Sequence, residues 1–240
     1  MKLYYDFHLH SCLSPCGDND MTPYNLVNMA KLLGLDIIAL TDHNSCQNCA
    51  AAIEVGESIG LTVVPGMELC TSEEVHVVCL FPDLKSAEGF SEYVLSTVPR
   101  INNRPQIFGE QLIMDSGDGI LGSQELLLTT ASGISIENAV ETVSRYGGIS
   151  YPAHIDRSSY SVLSNLGMIT SEMNFSAVEM TDSADQAEYR KKHAIISDCP
   201  IIVSSDAHYL ENMKEASRLI ELTDNSPEAV ISYFKKLKKI

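Results

Sequence analysis

The chain has 240 residues, of which 45% are hydrophobic and 20% are charged, ordinary values for a globular protein. Its 32 acidic and 16 basic side chains give a formal net charge of −16, which argues against binding to long duplex nucleic acid or to an anionic membrane surface. No stretch approaches the roughly 18 apolar residues of a membrane span, and without a visible export signal the seven cysteines are expected to be reduced thiols in the cytoplasm.

Short apolar runs alternate with amphipathic stretches along most of the chain, which predicts strands separated by helices. Thr22-Pro23 and Ser226-Pro227 have the N-cap and first-turn residues typical of helix starts. A strand–helix alternation repeated about seven times is typical of a parallel barrel or a doubly wound sheet. The strands are expected at about 3–8, 36–41, 61–66, 75–80, 149–153, 176–180 and 201–205, and the helices near 23–33, 46–59, 86–98, 136–147, 183–194 and 226–238.

The segment from about 100 to 130 interrupts this alternation. In QLIMDSGDGILGSQELLL, two apolar-leaning runs flank a turn rich in Gly and Asp, which predicts an inserted β-hairpin or flap. The same stretch contains a literal G-x-G-x-x-G, but no buried strand precedes it and no clear helix follows it, so a dinucleotide site is not indicated. Substrate choice is expected to be encoded in this segment.

Six of the seven histidines, with three carboxylates, fall at the ends of predicted strands. In the opening stretch DFHLHSCLSPCGDND, two histidines one residue apart would point to the same face of a strand. The carboxyl ends of barrel strands converge on one mouth, so these side chains are expected to meet there. Burying so many unpaired imidazoles and carboxylates is unfavourable unless a cation compensates them. The pattern therefore predicts a multinuclear site for divalent metal ions.

The motifs H-x-H, T-D-H and G-x-E, followed by single histidines and a late D-x-H, resemble the PHP (polymerase and histidinol phosphatase) family in their order from Asp6 to His208. The resemblance implies an α/β fold, a distorted (β/α)7 barrel of the TIM type, formed as one domain over residues 1–240. It also implies two or three divalent ions (Zn, Mn or Fe). In the implied assignment His8, His10, Glu68 and Asp206 hold the first ion, Glu68 bridges to a second ion completed by His76 and His154, and His43 and His208 hold the third.

The third ion needs another ligand from the opening stretch. Some family members use a His or Asp five or six residues after the second histidine, where this sequence has Pro15 and Cys16. A thiolate suits Zn²⁺ or Fe²⁺, so Cys16 is the first candidate and Asp18 the second. A four-cysteine site that adds Cys12 and the C-x-x-C at 46–49 is an alternative, although such a pair on an amphipathic helix is more typical of small apolar packing.

The resemblance implies phosphoester hydrolysis by attack of metal-bound hydroxide on phosphorus. The expected substrate is a small anionic phosphorylated molecule, with nucleotides and short oligonucleotides among the candidates. Arg157 is the candidate phosphate clamp, because a guanidinium can bind phosphate oxygens bidentately. Asp42 is expected to orient a ligand or to relay a proton. The leaving group is expected to be protonated by either a metal-bound water or His208.

Two other functions are compatible with the same residues. An amidohydrolase-type C–N hydrolase uses a similar barrel mouth, but its usual carbamylated lysine is hard to place here. A non-catalytic metal-binding PHP module is the second alternative. Neither the oligomeric state nor the native metal can be predicted from the sequence.

Overall fold

The computed structural model describes residues 1–237 of the chain. Strands and helices alternate over most of this length. The strands are β1 (Lys2–Leu9), β2 (Ile37–Leu40), β3 (Thr62–Cys70), β4 (His76–Leu80), β5 (Leu112–Met114), β6 (Ile120–Ser123), β7 (Ile149–Pro152), β8 (Val178–Met180), β9 (Ile201–Val203) and β10 (Leu219–Glu221). The α-helices are α1 (Pro23–Leu32), α2 (Cys49–Ile59), α3 (Leu84–Thr97), α4 (Pro105–Phe108), α5 (Ile136–Arg145), α6 (Val162–Leu166), α7 (Gln186–Lys192) and α8 (Pro227–Lys236).

A mixed six-stranded sheet in the order β10-β1-β2-β3-β4-β7 forms most of the scaffold, and β8 and β9 form a second, parallel sheet. β1, β2 and β3 are parallel neighbours, whereas β10 pairs antiparallel with β1. Two backbone contacts link the sheets, an isolated bridge between Leu9 and Ala207 and a hydrogen bond from the Ile155 N–H to the Glu179 carbonyl (2.9 Å). The α/β class is therefore confirmed, although no strand ladder joins β7 to β8 in the part of the chain described.

The prediction of uniformly parallel strands is wrong for β4. This strand runs antiparallel to both β3 and β7. Only residues 71–75 separate β3 from β4, and a parallel crossover needs a dozen or more residues. A second difference is β10, which sequence analysis did not predict.

Two predicted helix starts are confirmed together with their caps. The Thr22 hydroxyl accepts the backbone N–H of Asn25 (3.2 Å), and the Ser226 hydroxyl accepts that of Ala229 (3.1 Å). Each cap is followed directly by proline. These residues satisfy N–H groups that the first helical turn leaves without a partner.

The predicted hairpin is confirmed as the antiparallel pair β5–β6. The Asp115 carboxylate closes its turn by accepting the N–H of Gly119 (2.7 Å). The Asn48 side chain anchors the hairpin to the start of α2, since it donates to the Leu112 carbonyl (3.0 Å) and accepts the Met114 N–H (2.9 Å). The hairpin is thus fixed against the segment that follows β2.

Apolar side chains fill the space on both faces of the main sheet. β2 is buried along its whole length, as expected for a strand covered on both sides. One apolar cluster surrounds Phe7, Tyr151 and Phe234, whose rings pack against one another. Within residues 1–237, no helix is long and apolar enough to cross a membrane.

Candidate metal centre

Glu68, in β3, is the centre of a buried cluster of imidazoles. The pairing of β2 with β3 continues past β2 as a bridge between His43 and Glu68, and this brings the T-D-H and G-x-E motifs side by side. The closest nitrogens to the Glu68 carboxylate are His43 Nδ1 (2.9 Å), His76 Nδ1 (3.0 Å), His8 Nε2 (3.2 Å), His154 Nε2 (3.2 Å) and His10 Nε2 (3.3 Å).

Asp206, after β9, supplies a second buried carboxylate beside the first. Its Oδ1 lies 3.1 Å from His10 Nε2, 3.4 Å from His8 Nε2 and 3.6 Å from His208 Nδ1. Asp206 and His154 both have positive φ angles, 49° and 28°. Strained backbone of this kind is retained where surrounding contacts impose it, commonly at functional sites.

Glu179, in β8, orients His8, and sequence analysis assigned it no role. Its two oxygens lie 2.9 and 3.1 Å from His8 Nδ1. A carboxylate can only accept, so Nδ1 carries a proton, and Nε2 is the nitrogen that faces Glu68 and Asp206 and would bind a metal ion once deprotonated. Carboxylates commonly fix metal-ligating histidines in this way. The available signal was an acidic residue inside the apolar strand SAVEM.

A buried chain of hydrogen bonds orients His10. The Ser14 hydroxyl donates to Asp42 Oδ1 (2.7 Å) and lies 2.9 Å from His10 Nδ1, from which it accepts. The same hydroxyl accepts the backbone N–H of His43 (3.1 Å). Asp42 is further held by the Ser11 N–H and hydroxyl (2.7 and 2.6 Å). Asp42 therefore lies where it can position a ligand through Ser14, a residue that sequence analysis missed.

The donor atoms of this cluster fit divalent metal ions. His43 Nδ1 and Asp206 Oδ1, which both face the cluster, are buried and lack a partner in hydrogen-bonding geometry, an arrangement that is costly unless a cation compensates it. Imidazole and carboxylate ligands suit Zn²⁺, Mn²⁺ or Fe²⁺. Three groups have donor atoms within 4.8 Å of one another: His8, His10 and Glu68; His43, Glu68 and His76; and His10, His43 and His208.

The pKa values of these groups indicate strong mutual attraction. Burial would raise the pKa of Glu68, but His76, His8 and His43 outweigh it and hold that pKa well below its usual range. Burial would lower the pKa of His8, but Glu179, Asp206 and Glu68 raise it well above 6.5. For His76, burial prevails and lowers the pKa to about 4. The buried carboxylates Glu68, Glu179 and Asp206 thus stabilise positive charge in the space between the histidines.

The Cys16 thiol interacts with two histidines of the cluster, His43 and His208. Burial raises the pKa of the Cys16 thiol, but His43 and hydrogen bonds with His208 and His43 outweigh it and lower the pKa to about 5. The Asp18 carboxylate instead accepts the N–H of Asp20 within its own turn (2.8 Å). Of the two predicted ligands, the structure brings Cys16 to the cluster. The C-x-x-C cysteines are buried in the apolar core, in line with the packing interpretation.

A cleft of about 580 Å³ opens beside the cluster. His154 and Asp206 of the cluster line it together with three cationic residues, Arg157, Lys214 and Arg218. Arg157 Nη1 is 2.6 Å from Asp206 Oδ2, while the Arg157 side chain is 43% exposed. The volume is in the range of small-molecule sites.

Comparison with known proteins gives curated relatives that are named as 5′-3′ exoribonucleases and solved structures of the same fold. The 5′-3′ exoribonuclease Rnm of Escherichia coli (strain K12) is 32% identical over 128 residues, which are 51% of this chain and 42% of that protein. The lesion-specific endonuclease PfuEndoQ from Pyrococcus furiosus matches with a TM-score of 0.71 and 19% identity, over 99% of this chain and 57% of that one. Endonuclease Q in complex with a 27-mer duplex substrate, with an abasic lesion at the active site, matches with a TM-score of 0.73 and 17% identity over the same shares. This chain thus spans about half the length of these proteins.

The exclusion of long duplex nucleic acid is therefore wrong. A protein with this fold has been solved with a 27-mer duplex, and a curated relative is an exoribonuclease. Net charge describes the whole surface, whereas a nucleic acid responds to the local field of the site. A few cationic side chains and bound metal ions can set that local field against the overall charge.

The family profile described as PHP domain matches residues 6–238. That range includes every motif on which the predicted resemblance was based. The predicted enzyme class, a metal-dependent phosphoesterase, is confirmed at the level of the family. With a match over nearly its whole length, the chain belongs to the PHP domain family.

Proposed function

We propose that this domain hydrolyses phosphoester bonds in nucleotides or nucleic acids, in a reaction that requires divalent metal ions. One observation carries the proposal: five imidazoles lie within 3.3 Å of the buried Glu68 carboxylate, and two of them, His8 and His10, also lie beside Asp206 Oδ1. The nucleic-acid part is supported by the relative named as a 5′-3′ exoribonuclease.

The metal ions would be held by the histidines around Glu68 and Asp206, with Cys16 beside His43 and His208. Divalent ions in such a site act as Lewis acids on phosphoryl oxygens and make a water molecule nucleophilic near neutral pH. Glu179 and the Asp42–Ser14 pair keep His8 and His10 in the tautomer that turns Nε2 inward.

Arg157 is suited to binding the phosphoryl group. One of its nitrogens is used by Asp206 and the rest of the half-exposed guanidinium faces the cleft, so further N–H donors remain for phosphate oxygens. The His208 Nδ1 is 3.0 Å from the Asp206 carbonyl and its side chain is 20% exposed. We assign the remaining nitrogen of His208 to one of two roles, either as a metal ligand or as the proton donor to the leaving oxygen, because one nitrogen cannot serve both at once.

The two alternative functions have less support. In the described part of the chain, the groups that contact Glu68 and Asp206 are histidines and Arg157. No lysine occurs among them, and the amidohydrolase alternative needs one. A non-catalytic module would not need Arg157 half-exposed beside a cleft.

The test is hydrolysis by the purified chain supplied with Mn²⁺ or Zn²⁺. Substrates are a 5′-phosphorylated RNA hexamer, a DNA duplex, nucleoside monophosphates and histidinol phosphate. We expect release of nucleotides from the RNA, loss of that activity in excess chelator, and at least a thousandfold loss in Glu68→Gln. Absence of turnover on every phosphoester, with metal content verified, would exclude the proposal. Turnover of histidinol phosphate alone would retain the phosphoesterase and reject the nucleic-acid substrate.

A further inference from the structure

Tyr160 adopts a backbone conformation that is unfavourable for a bulky residue. Its φ angle is 53°, in the left-handed region that aromatic side chains rarely occupy. Two contacts with His76 hold it there. The Tyr160 carbonyl accepts the backbone N–H of His76 (2.9 Å), and the two rings stack with centroids 4.7 Å apart at 22°.

Tyr160 and Arg157 lie in the same loop, which internal hydrogen bonds connect. The Arg157 N–H donates to the His154 carbonyl (2.9 Å), and the Ser161 hydroxyl donates to the Arg157 carbonyl (2.7 Å). One end of the loop thus reaches Asp206 through Arg157, and the other covers His76 through Tyr160. The loop presents a guanidinium and an aromatic ring together at the metal-ligand cluster.

The Tyr160 ring is exposed as well as strained. Tyr160 is 45% exposed, although one face of its ring is covered by His76. A residue needed only for packing would not require both exposure and an unfavourable backbone. A partly exposed aromatic ring in the same loop as Arg157, the proposed phosphate ligand, is suited to stacking of a nucleobase, which tolerates every base because each has a π-face.

We propose that Tyr160 stacks on the nucleobase adjacent to the scissile phosphate. The substrate class is therefore a nucleotide or a single-stranded nucleic-acid end that carries a base at that position. This inference rests on the proposed function, since it assigns part of the same site. Stacking on Tyr160 would favour substrates that contain a base over phosphate esters that have none.

The experiment compares two 5′-phosphorylated RNA hexamers that differ only in the terminal residue, which has a base in one and is abasic in the other. Wild type, Tyr160→Phe, Tyr160→Leu and the control Tyr93→Leu are measured with metal content determined in each. Tyr93 is a matched control because it is 40% exposed on α3, near Tyr146. Titration calorimetry with adenosine monophosphate and ribose 5-phosphate compares the binding affinity for a ligand with a base and a ligand without one, and needs no turnover.

We expect wild type, Tyr160→Phe and Tyr93→Leu to prefer the base-containing end by about tenfold in kcat/KM. Tyr160→Leu should lose this preference, through a higher KM for the base-containing end, while metal content and the abasic reaction stay unchanged. Equal losses on both ends, with reduced metal content, would show that Tyr160 only supports His76 and would overturn the inference. The inference is also overturned if Tyr160→Leu keeps the preference or if wild type has none. Absence of turnover on both ends rejects the proposed function, and calorimetry then decides the stacking separately.

Discussion

Glu179 and His8 form a buried carboxylate–imidazole pair, with Nδ1 of His8 2.9 Å from Glu179 Oε1. The opposite nitrogen of the same ring, Nε2, lies 3.2 Å from Glu68. Glu179 therefore orients the imidazole through Nδ1, while Nε2 and Glu68 face the space where a metal ion would bind. Glu179 is a positioning residue, because it acts on the site only through His8 and, more weakly, the backbone N–H of His154 (3.3 Å).

Glu179→Gln should weaken metal binding by about 10- to 100-fold, the range typical for removal of such a partner. Glutamine keeps the volume and one acceptor, but it loses the negative charge that makes the imidazole a better ligand. The dissociation constant is measured by competition with a metal-binding dye. Glu92→Gln, on the exposed side of α3, should leave it unchanged, and an unaltered affinity in Glu179→Gln would contradict the assigned role.

Ser14→Ala should lower both stability and turnover. Without the hydroxyl, His10 Nδ1 and the His43 N–H lose their acceptor and Asp42 loses a donor, which costs about 1–3 kcal/mol for buried groups. Thermal unfolding and kcat/KM measure the two effects. Ser150→Ala is the matched control, because the Ser150 hydroxyl is buried and has no hydrogen-bond partner. If both variants behave alike, the chain from Asp42 to His10 has no functional importance.

The motif residues could be predicted from the sequence for two reasons. Their side chains are of types that bind metal ions, and they follow successive strands whose ends meet at one mouth of the fold. His76 shows the limit of that reasoning. It lies at the amino end of β4, and it reaches the cluster only because β4 runs antiparallel. The direction of a strand depends on the length of its connection and on its neighbours, and the alternation of apolar residues does not encode it.

Glu179 and Ser14, together with the proposed stacking residue Tyr160, were missed for a related reason. Glu179 is separated from His8 by 171 positions, and a lone glutamate in a short strand has no spacing pattern. Ser14 is an ordinary turn residue until Asp42 and His10 are placed beside it. The conformation of Tyr160 depends on a contact with another strand.

Cys16 should react unusually fast with iodoacetamide in the metal-free protein. Its thiol pKa is lowered to about 5, because His43 and His208 outweigh the opposing effect of burial. The thiolate is the reactive form, so the rate should be constant between about pH 6 and 8 and fall by half near pH 5. The Cys16 residue reaches the surface, unlike the other cysteines of the described chain, although its thiol is desolvated beside His43 and His208. Mass spectrometry should therefore find the label there.

Bound metal should protect Cys16 from alkylation, and Cys16→Ser should remove the label altogether. A rate that rises through pH 8, as for an ordinary thiol, would show that the thiolate does not form. Protection by metal without loss of metal in Cys16→Ser would show that the ion shields the thiol without binding it.

Arg157→Ala should raise KM by roughly 10- to 100-fold, since a hydrogen bond to a charged group contributes about 1.5–3 kcal/mol. Metal content should stay normal, because the histidine cluster is intact. Arg157→Lys should recover part of the loss, as lysine restores charge without the bidentate geometry. Arg145→Ala, a surface arginine paired with Glu141, is the control. A fall in metal content in Arg157→Ala would instead identify the arginine as a support for Asp206.

The thermal stability of the metal-free protein should fall as pH rises. Burial opposes protonation of His8 and His43, but Glu179 acting on His8 and Cys16 acting on His43, each together with Glu68, raise both pKa values well above 6.5. A group whose folded-state pKa is raised stabilises the fold below its unfolded pKa, and that contribution is lost as pH rises through the folded-state pKa. Cys16, whose thiol pKa is lowered to about 5, acts in the opposite direction over this range, but three histidines with raised pKa values, His8, His10 and His43, outnumber it. The metal-free protein should therefore lose thermal stability from about pH 6.5 upward, where the unfolded chain no longer binds the protons that these histidines keep in the fold. The metal-loaded protein should not, because the ions replace those protons.

Metal at a thousand times its dissociation constant adds about 4 kcal/mol to the free energy of unfolding, which is roughly 8–16 °C in Tm for a chain of this size. The difference in Tm between the metal-loaded and metal-free protein should widen as pH rises. Calorimetry from pH 6 to 9 measures both curves, and His193→Gln at the end of α7 should leave them unchanged. Parallel curves for the two forms would mean that the histidines are neutral in the metal-free fold.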